Sequence, residues 1–381
     1  MSTAVRYALS DFVTGSPILD LPVMEGASWG AQLNEPDSLT CKVDMRDRVV
    51  RALDLASSSA SKKTVLSART EEDVVLAWGI ISERKWNETD RTLELNAFGL
   101  WQWLNGTIIG PASALTEAIV NPDGSPNAAL DTAYAGYSFG TIGKKLVEQR
   151  LAWPGSPTIT LPADEIGTRE RNEYYFVALK SVGEALTELA DVQNGPDFAF
   201  DATRAPDGLT LAYSMRHGSE AEPRLGLHAG SWGLGAGSPI SGFKYREDGS
   251  DFATAAWSIA GRSGDRVVAS RDVDVSLVDD AGYPSVDYVD TSHSDVSRQA
   301  TLDGYNAQNL AYAGRMQRDL TFNVRGDAAL RLGQYRPGDT VTVTVPSGHL
   351  FIREPELTIR VLGISGDETG ETIKIDSVVL A

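Results

Sequence analysis

The residues with the clearest potential for chemistry form the string Gly-Tyr-Ser-Phe-Gly at residues 136–140. A Gly-x-Ser-x-Gly string that precedes a helix is typical of a hydrolase nucleophile, which would be Ser138. The flanking sequence lacks the β-α-β units that this chemistry needs. No acid followed by a histidine can be assigned among His217, His228, His293 and His349. We therefore interpret Ser138 as part of a turn before a helix, and keep an esterase using Ser138 as the less favoured alternative.

Metal-binding and phosphate-binding patterns are also missing. No two histidines stand four apart on a predicted helix, which excludes a zinc protease of the two-histidine type. The aspartates between residues 272 and 295 do not fit the calcium-loop pattern and favour a solvated strand face. The glycines at 233, 235 and 237 are not followed by Lys-Ser or Lys-Thr, so they predict a flexible connection. The sequence thus predicts no catalytic residue, no metal and no cofactor.

For most of the tryptophans and for the single cysteine the sequence predicts packing in the core. A sugar-binding platform could use exposed indoles, but most tryptophans here fall at patterned strand positions, which favours core packing. The eight are Trp29, Trp78, Trp86, Trp101, Trp103, Trp153, Trp232 and Trp257. Cys41 has no second cysteine to pair with, and its alternating strand pattern predicts a buried, inert thiol.

Composition limits the class of protein. The chain has 381 residues, with 34 Lys and Arg against 52 Asp and Glu, so its net charge is −18. This charge opposes wrapping or sequence-specific contacts with nucleic acid, although it suits a channel wall along which DNA slides as well as it suits solubility alone. No apolar run predicts a membrane-spanning segment. The first eleven residues lack a signal-peptide pattern, so we expect synthesis in the cytoplasm.

The elements that must position these residues are mostly strands. Val74, Leu76, Trp78 and Ile80 alternate with Val75, Ala77, Gly79 and Ile81, which predicts a strand buried on both faces. Residues 92–98 alternate apolar and polar after a polar turn, which predicts the second strand of an antiparallel hairpin. No catalytic signature accompanies this pair, so we expect it to be structural.

Three regions follow from the pattern along the chain. Residues 1–105 are β-rich, with one short helix at 48–56, and favour a small barrel or sandwich. Residues 106–235 contain a linker arm at 110–137, a helix beginning at the N-cap Thr141, a second helix after the capping box Ser181 to Glu184, and a hairpin at 197–215. Residues 236–381 return to β, with a hairpin turning at Asp248 and Gly249, a strand at 267–277 and a helical insertion near 301–316.

Several strings in order carry a resemblance to a known family. They are Ala-Trp-Gly-Ile-Ile at 77–81 with Leu-Glu-Leu-Asn-Ala-Phe-Gly at 93–99, Ala-Asp-Val-Gln-Asn-Gly-Pro-Asp-Phe at 190–198, Tyr-Pro-Ser-Val-Asp at 283–287, and Tyr-Arg-Pro-Gly-Asp-Thr-Val at 335–341. Their order and spacing resemble the minor tail proteins of long-tailed phages that infect actinobacteria, over nearly the whole chain. The family is similar to the baseplate hub of contractile-tailed phages.

The resemblance implies a mainly β fold with α insertions, in which residues 1–105 and 236–381 are two tube-type antiparallel β-barrel domains around a mixed middle region. It implies a homotrimer whose six barrels form a pseudo-hexameric ring at the tail tip of the virion. The implied partners are the distal tail protein ring, the tape-measure protein and a central fibre or receptor-binding assembly, with DNA only as a passenger in the lumen.

Two expectations accompany this interpretation. The charge balance predicts that lumen-facing loops are net negative or neutral, because a lumen lined by Lys and Arg would hold DNA. The main alternative in another class is a module that binds the host cell wall or a carbohydrate through exposed aromatic residues.

Overall fold

The computed structural model describes residues 4–192, 194–263, 266–293, 296 and 298–380, with the side chains of residues 170–173, 261–263 and 266 excepted.

Strands make up 40% of the chain and helices 18%, which confirms the mainly β fold class with α insertions. The strands are β1 (Arg6–Asp11), β2 (Pro17–Leu21), β3 (Ser28–Gln32), β4 (Ser38–Asp44), β5 (Thr64–Arg69), β6 (Val75–Asn87), β7 (Thr92–Phe98), β8 (Thr132–Tyr137), β9 (Ile159–Thr160), β10 (Ile166–Tyr174), β11 (Phe198–Arg204), β12 (Leu211–His217), β13 (His228–Gly233), β14 (Ile240–Asp248), β15 (Ala255–Ser263), β16 (Arg266–Val273), β17 (Asp287–Asp290), β18 (Gln317–Arg325), β19 (Thr340–Thr344), β20 (Glu356–Asp367) and β21 (Thr372–Val379).

The helices are mostly short and concentrated in the middle of the chain. They are α1 (Arg48–Arg51), α2 (Leu55–Ser58), α3 (Leu100–Asn105), α4 (Phe139–Leu151), α5 (Val182–Asp191), α6 (Val275–Asp279) and α7 (Gln299–Ala313), with 3₁₀ helices at Ala112–Leu115, Ala128–Leu130 and Phe176–Ala178. The region predicted as a linker arm holds two of these 3₁₀ helices and strand β8.

One large sheet joins the two ends of the chain. The N-terminal strands lie in the order β3-β4-β7-β6-β5-β1-β2, and the C-terminal strands in the order β14-β18-β21-β20, with β19 and β13 continuing beside β20. β20 is twelve residues long, so it pairs with β19 along its first half and with β3 along its second half. The β3–β20 pairing places Gln32 opposite Gly363 and Ser28 opposite Asp367. The two β-rich units are therefore continuous.

Each β-rich unit curls around apolar side chains. The segment after β2 returns to β4, where the Met24 N–H donates to the Lys42 carbonyl oxygen at 2.8 Å. In the C-terminal unit Trp232 meets Phe322 edge to face, with ring centroids 5.7 Å apart. One core runs through both units, and Trp29 of β3, which is 2% exposed, lies where they join. Burial of this apolar surface is the main stabilising contribution to the sheet.

A second core belongs to the middle region and packs on the N-terminal unit. Leu146 of α4, Leu186 of α5 and Phe198 of β11 are buried together in it. Trp78 of β6 enters the same core, stacks on Tyr213 with centroids 4.6 Å apart, and donates from Nε1 to the Phe200 carbonyl oxygen at 3.0 Å. β6 therefore faces both cores, which explains why neither of its faces is polar over residues 76–81.

The segment between β14 and β18 forms a small outer layer. β15 pairs antiparallel with β16 and parallel with β17, and α7 covers one face of this sheet. Asn306 of α7 is buried, bonds to the Ser258 hydroxyl at 2.8 Å and donates to the Ala256 carbonyl oxygen at 3.2 Å. These bonds satisfy the buried amide and fix the helix on the sheet.

Several local predictions are confirmed. The opening hairpin is β6 and β7, which pair antiparallel. Ser181 and Glu184 form the predicted capping box of α5. β11 and β12 are the predicted hairpin, and its turn is held by Asp207, whose Oδ1 accepts from Leu209 N at 2.8 Å and Thr210 N at 2.9 Å.

Other local predictions are wrong. In each case another residue or strand forms the bonds that the local pattern assigned differently. The turn at Asp248 and Gly249 forms, but β14 pairs with β18 and not with the strand that follows the turn. The predicted strand at 267–277 ends at Val273, because Asp274 caps α6 by accepting from Ser276 N. The predicted helix at 48–56 is two short helices. The predicted N-cap Thr141 lies inside α4, which begins at Phe139.

A substitution at Gly79 tests how closely β6 packs against β7. A Cβ at this position would lie 2.5 Å from the Phe98 carbonyl carbon and 2.8 Å from its N, so the backbone itself would have to move. We expect Gly79→Ala to lower the free energy of unfolding by about 1–3 kcal/mol through overpacking. Urea denaturation followed by circular dichroism measures this.

Gly304→Ala is the matched control, because a Cβ on Gly304 in α7 meets nothing within 4 Å. It should be neutral or raise the free energy of unfolding by about 0.5–1 kcal/mol, since alanine favours the helix. Equal effects of the two substitutions would contradict the proposed close approach of β6 and β7.

Candidate functional site

Ser138 lies at a strand-turn-helix connection but acts as a helix cap. β8 leads directly into α4. Among the described residues β8 pairs with β10 alone, in a two-stranded antiparallel sheet, unlike the parallel sheet of a hydrolase. Ser138 is 1% exposed and is the N-cap of α4. Its Oγ accepts from Thr141 N at 3.2 Å and lies 3.3 Å from Thr141 Oγ1. The interpretation of this string as a turn before a helix is confirmed, with Ser138 itself as the cap.

His217 is the histidine beside this turn, and it does not pair with Ser138. A Cβ on Gly140 would lie 2.2 Å from His217 Nδ1, so the ring packs directly on the first turn of α4. Nδ1 is 2.8 Å from the Gly218 carbonyl oxygen, and burial lowers the pKa of this histidine, which keeps it neutral. Within the described part of the chain Ser138 Oγ bonds to no histidine. The pairing of nucleophile and base that acyl transfer requires is therefore not formed there.

The remaining histidines lie elsewhere. His228 begins β13, His293 stacks on Tyr305 and is 3.3 Å from Asp290, and His349 Nδ1 accepts from Ile352 N at 2.9 Å. Among the described residues no group of three or more His, Cys, Asp and Glu side chains comes together as a metal site. Cys41 is fully buried, and burial raises its pKa to about 12, as expected of an inert thiol.

The tryptophans do not assemble into a platform. Trp29, Trp78, Trp101 and Trp232 are buried in the two cores. The most exposed are Trp86, at 51% in the β6–β7 hairpin, and Trp257, at 38% in the outer layer, and they lie on different sheets. None of the helices in the described ranges has the length and apolar character needed to cross a membrane.

Substitutions of Ser138 distinguish its role as a helix cap from a role as a catalytic nucleophile. We expect Ser138→Ala to lower the free energy of unfolding by about 1 kcal/mol, because Thr141 N loses its acceptor. The Ser138→Asn variant, which restores a capping oxygen, should recover most of this stability. Thermal unfolding measures both, and p-nitrophenyl acetate hydrolysis is followed in parallel. Esterase activity that disappears in both variants would contradict the cap role.

Asp197, the residue just before β11, is 0% exposed and bonds to several parts of the chain that the structure describes. Its carboxylate accepts from Leu225 N at 2.8 Å, from Asn34 Nδ2 at 3.2 Å and from Arg224 Nη1 at 3.3 Å, and it forms an ion pair with Arg360 Nη2. These donors come from the N-terminal unit, the chain before β13, and β20 of the C-terminal unit. Asp197 therefore connects all three regions. We name this set of bonds the Asp197 junction.

The Asp197 junction also fixes how β3 meets β20. Asn34 lies two residues after β3, and its Oδ1 accepts from Phe198 N at 2.7 Å. Arg360 lies on β20, three residues before Gly363, the partner of Gln32. A nearby carboxylate, Asp339, repeats the pattern by accepting from Leu227 N at 2.9 Å and Arg336 N at 3.0 Å. One end of the β3–β20 pairing is thus held by one buried carboxylate.

Two of the strings that carried the resemblance lie at this junction. Asp197 is the last residue but one of the string at 190–198, and Asp339 lies within the string at 335–341. Both carboxylates therefore lie in strings that stood out in the sequence, although the sequence did not indicate what the two residues do. Arg360 carried only a weak signal, as a charged residue between the apolar residues Ile359 and Val361 of a predicted strand.

Removing one partner of a buried ion pair should be costly. We expect Asp197→Asn to lower the free energy of unfolding by about 3–5 kcal/mol, because Arg360 remains buried without its counter-charge. The control Arg224→Gln removes a guanidinium whose side chain is 48% exposed, and should change stability by less than about 1 kcal/mol. Chemical denaturation measures both. Similar effects of the two changes would contradict the central role of the Asp197–Arg360 pair.

The surfaces available for assembly include the two end strands of the large sheet. β2 and β14 terminate the strand order, and each pairs with one strand within the described ranges. On β2 the side chain of Ile18 is 41% exposed. Backbone groups at a free sheet edge are available to pair with another chain.

Comparisons with known proteins find likeness in structure and not in sequence. No protein-family model matches the chain, and no curated protein matches its sequence. A tail protein from Neisseria meningitidis MC58 superposes with a TM-score of 0.57 at 15% identity, over 98% of this chain and 96% of that one. The 43 kDa tail protein of prophage MuSo2 from Shewanella oneidensis gives 0.56 at 11% identity, over 98% of each chain. The fold is therefore shared with these proteins over nearly its full length.

Proposed function

We propose that this chain is a structural protein of a phage tail tip, of the baseplate-hub type. The observation that supports this most is the full-length similarity of fold to two proteins described as phage tail proteins. A partial match would be compatible with a shared domain in another context, since fold alone does not define function. Here the similarity covers 98% of this chain in both comparisons. The N-cap role of Ser138 supports a structural role over the esterase alternative.

The finer form of the proposal is a homotrimeric ring. Residues 1–105 and 236–381 are two barrel domains around the middle region 106–235, and three chains supply six barrels that match a six-fold tube. The β3–β20 pairing supports this, because it joins one barrel to the next edge to edge within the chain. Repeating a head-to-tail contact between chains closes a ring when the rotation permits. β2 and β14 offer the free edges for that contact.

A ring at the tail tip would contact other tail proteins and would let DNA pass through its lumen. In the virion it would contact the distal tail protein ring above, the tape-measure protein within and a central fibre or receptor-binding assembly below, after synthesis in the host cytoplasm. DNA would pass through the lumen without specific contacts. The net charge of −18 supports this, because a neutral or negative wall repels the phosphate backbone and lets it slide.

Oligomeric mass and one edge substitution test the ring. We expect native mass spectrometry to give three times the 40.9 kDa chain mass. Ile18→Lys should shift the population towards monomer, because a lysine on an edge strand opposes pairing between chains. The control Ile119→Lys changes a similarly exposed isoleucine, at 46%, in the arm and should leave the mass unchanged.

Three outcomes would contradict the proposal. A wild-type chain that stays monomeric at high concentration would contradict the ring. An Ile18→Lys variant that remains trimeric would show that the edge of β2 does not form the contact between chains. A cryo-EM map of the intact tail tip that places this chain away from the central channel would remove the hub role altogether.

A further inference from the structure

A cleft next to the Asp197 junction has the features of a binding site. It encloses about 730 Å³, within the range of ~300–1,000 Å³ that ligand pockets occupy. Its walls come from three regions: the start of β6, the whole of β11, and the loop that precedes β19. The Asp197 junction lies at one end of the cleft, where β11 begins. The cleft is therefore formed by the fold of all three regions.

Two buried polar atoms of the cleft walls have no partner within the described ranges. Tyr335 is 3% exposed and lines the cleft, and its hydroxyl makes no hydrogen bond. Arg204 also lines the cleft, and its Nε is buried without an acceptor, although its guanidinium is 3.7 Å from Asp73. A buried donor without an acceptor is costly, so both atoms favour an occupant that presents acceptor oxygens.

The charges of the cleft favour a cation. The three arginines of its lining are already paired: Arg204 with Asp73, and Arg216 and Arg336 with Asp201. Among the described residues Asp37 and Glu35 have no cationic partner. Asp37 Oδ2 accepts from Trp78 N at 3.2 Å, and desolvation raises its pKa to about 8. A cation beside Asp37 would stabilise its charged form.

The edge of β11 faces the same space. All seven residues of β11 line the cleft, and within the part of the chain that the structure describes β11 pairs with β12 alone. The Phe198 N–H and the Phe200 carbonyl point away from β12, since they bond to Asn34 and to the Trp78 indole. Backbone direction alternates along a strand, so the N–H and carbonyl of Ala202 also lie on this open edge. An added strand could bond to them.

We propose that this cleft binds an extended segment of a partner polypeptide that carries a basic side chain. The segment lies along the open edge of β11 and bonds to the main chain of Ala202. Its cation pairs with Asp37 and Glu35, and its main-chain carbonyl oxygens accept from the Tyr335 hydroxyl and Arg204 Nε. This single occupant satisfies the open edge, the unpaired carboxylates and the two buried donors together. The inference is independent of ring formation.

A pair of short peptides tests the inference on the intact protein. The probe is the heptapeptide acetyl-Thr-Val-Thr-Arg-Thr-Val-Thr-amide, whose β-branched residues favour an extended chain. The matched peptide has glutamine in place of arginine. Isothermal titration at pH 8.5, above the pKa of Asp37, should show the arginine peptide binding about tenfold tighter than the glutamine peptide, as expected for a hydrogen bond to a charged group.

Variants of the walls assign the contacts. Asp37→Asn should weaken the arginine peptide about tenfold and abolish its advantage over the glutamine peptide. Tyr335→Phe should weaken both peptides about threefold, because it removes a bond to the main chain. The control Glu117→Gln neutralises an exposed carboxylate in the arm, outside the cleft, and should leave both affinities unchanged.

The outcomes separate clearly. No binding of the arginine peptide to the wild type, equal binding of the two peptides, or full affinity in folded Asp37→Asn would each overturn the inference. Thermal unfolding checks that the variants are folded. If Asp37→Asn fails to fold, Glu35→Gln and Tyr335→Phe decide the question in its place. Because every wall of the cleft lies within one chain, the result does not depend on whether the chain forms a ring.

Discussion

The structure depends on one buried ion pair, between Asp197 and Arg360. A carboxylate at 0% exposure and a guanidinium at 9% lose their hydration on folding, and only pairing with additional hydrogen bonds offsets that loss. The additional bonds come from Asn34 and Leu225, so the pair is satisfied only when the N-terminal unit, the middle region and β20 are all in place. The three regions are thereby coupled in folding as well as in space.

This coupling explains why the two β-rich units share one sheet in a defined register. A slip of one residue in a strand pairing turns every side chain to the opposite face, and five residue pairs between β3 and β20 are a short contact. Apolar packing alone tolerates small shifts, whereas a carboxylate that must reach both Asn34 and Arg360 does not. Trp29 adds a directional bond at the other end of the pairing, from Nε1 to the Asp367 carbonyl oxygen.

The sequence predicts what is local and misses what is distant. The two-sided apolar pattern of β6, the capping box at Ser181 and the Asp207 turn depend on residues within a few positions, so periodicity and side-chain chemistry identify them. The β3–β20 and β14–β18 pairings join residues far apart in the chain, and no local pattern encodes the partner of a strand. The same limit applies to the cleft, since Asp37, Arg204 and Tyr335 meet only after all three regions fold.

The position of the cleft gives its occupancy a mechanical consequence. Its walls belong to β6, β11 and the loop before β19, which come one from each of the three regions. A segment that bonds to β11 and pairs with Asp37 adds contacts between the same regions, and so stabilises their relative arrangement by the free energy of its binding. Binding at the cleft would therefore restrict the movement of the three regions relative to one another within a single chain.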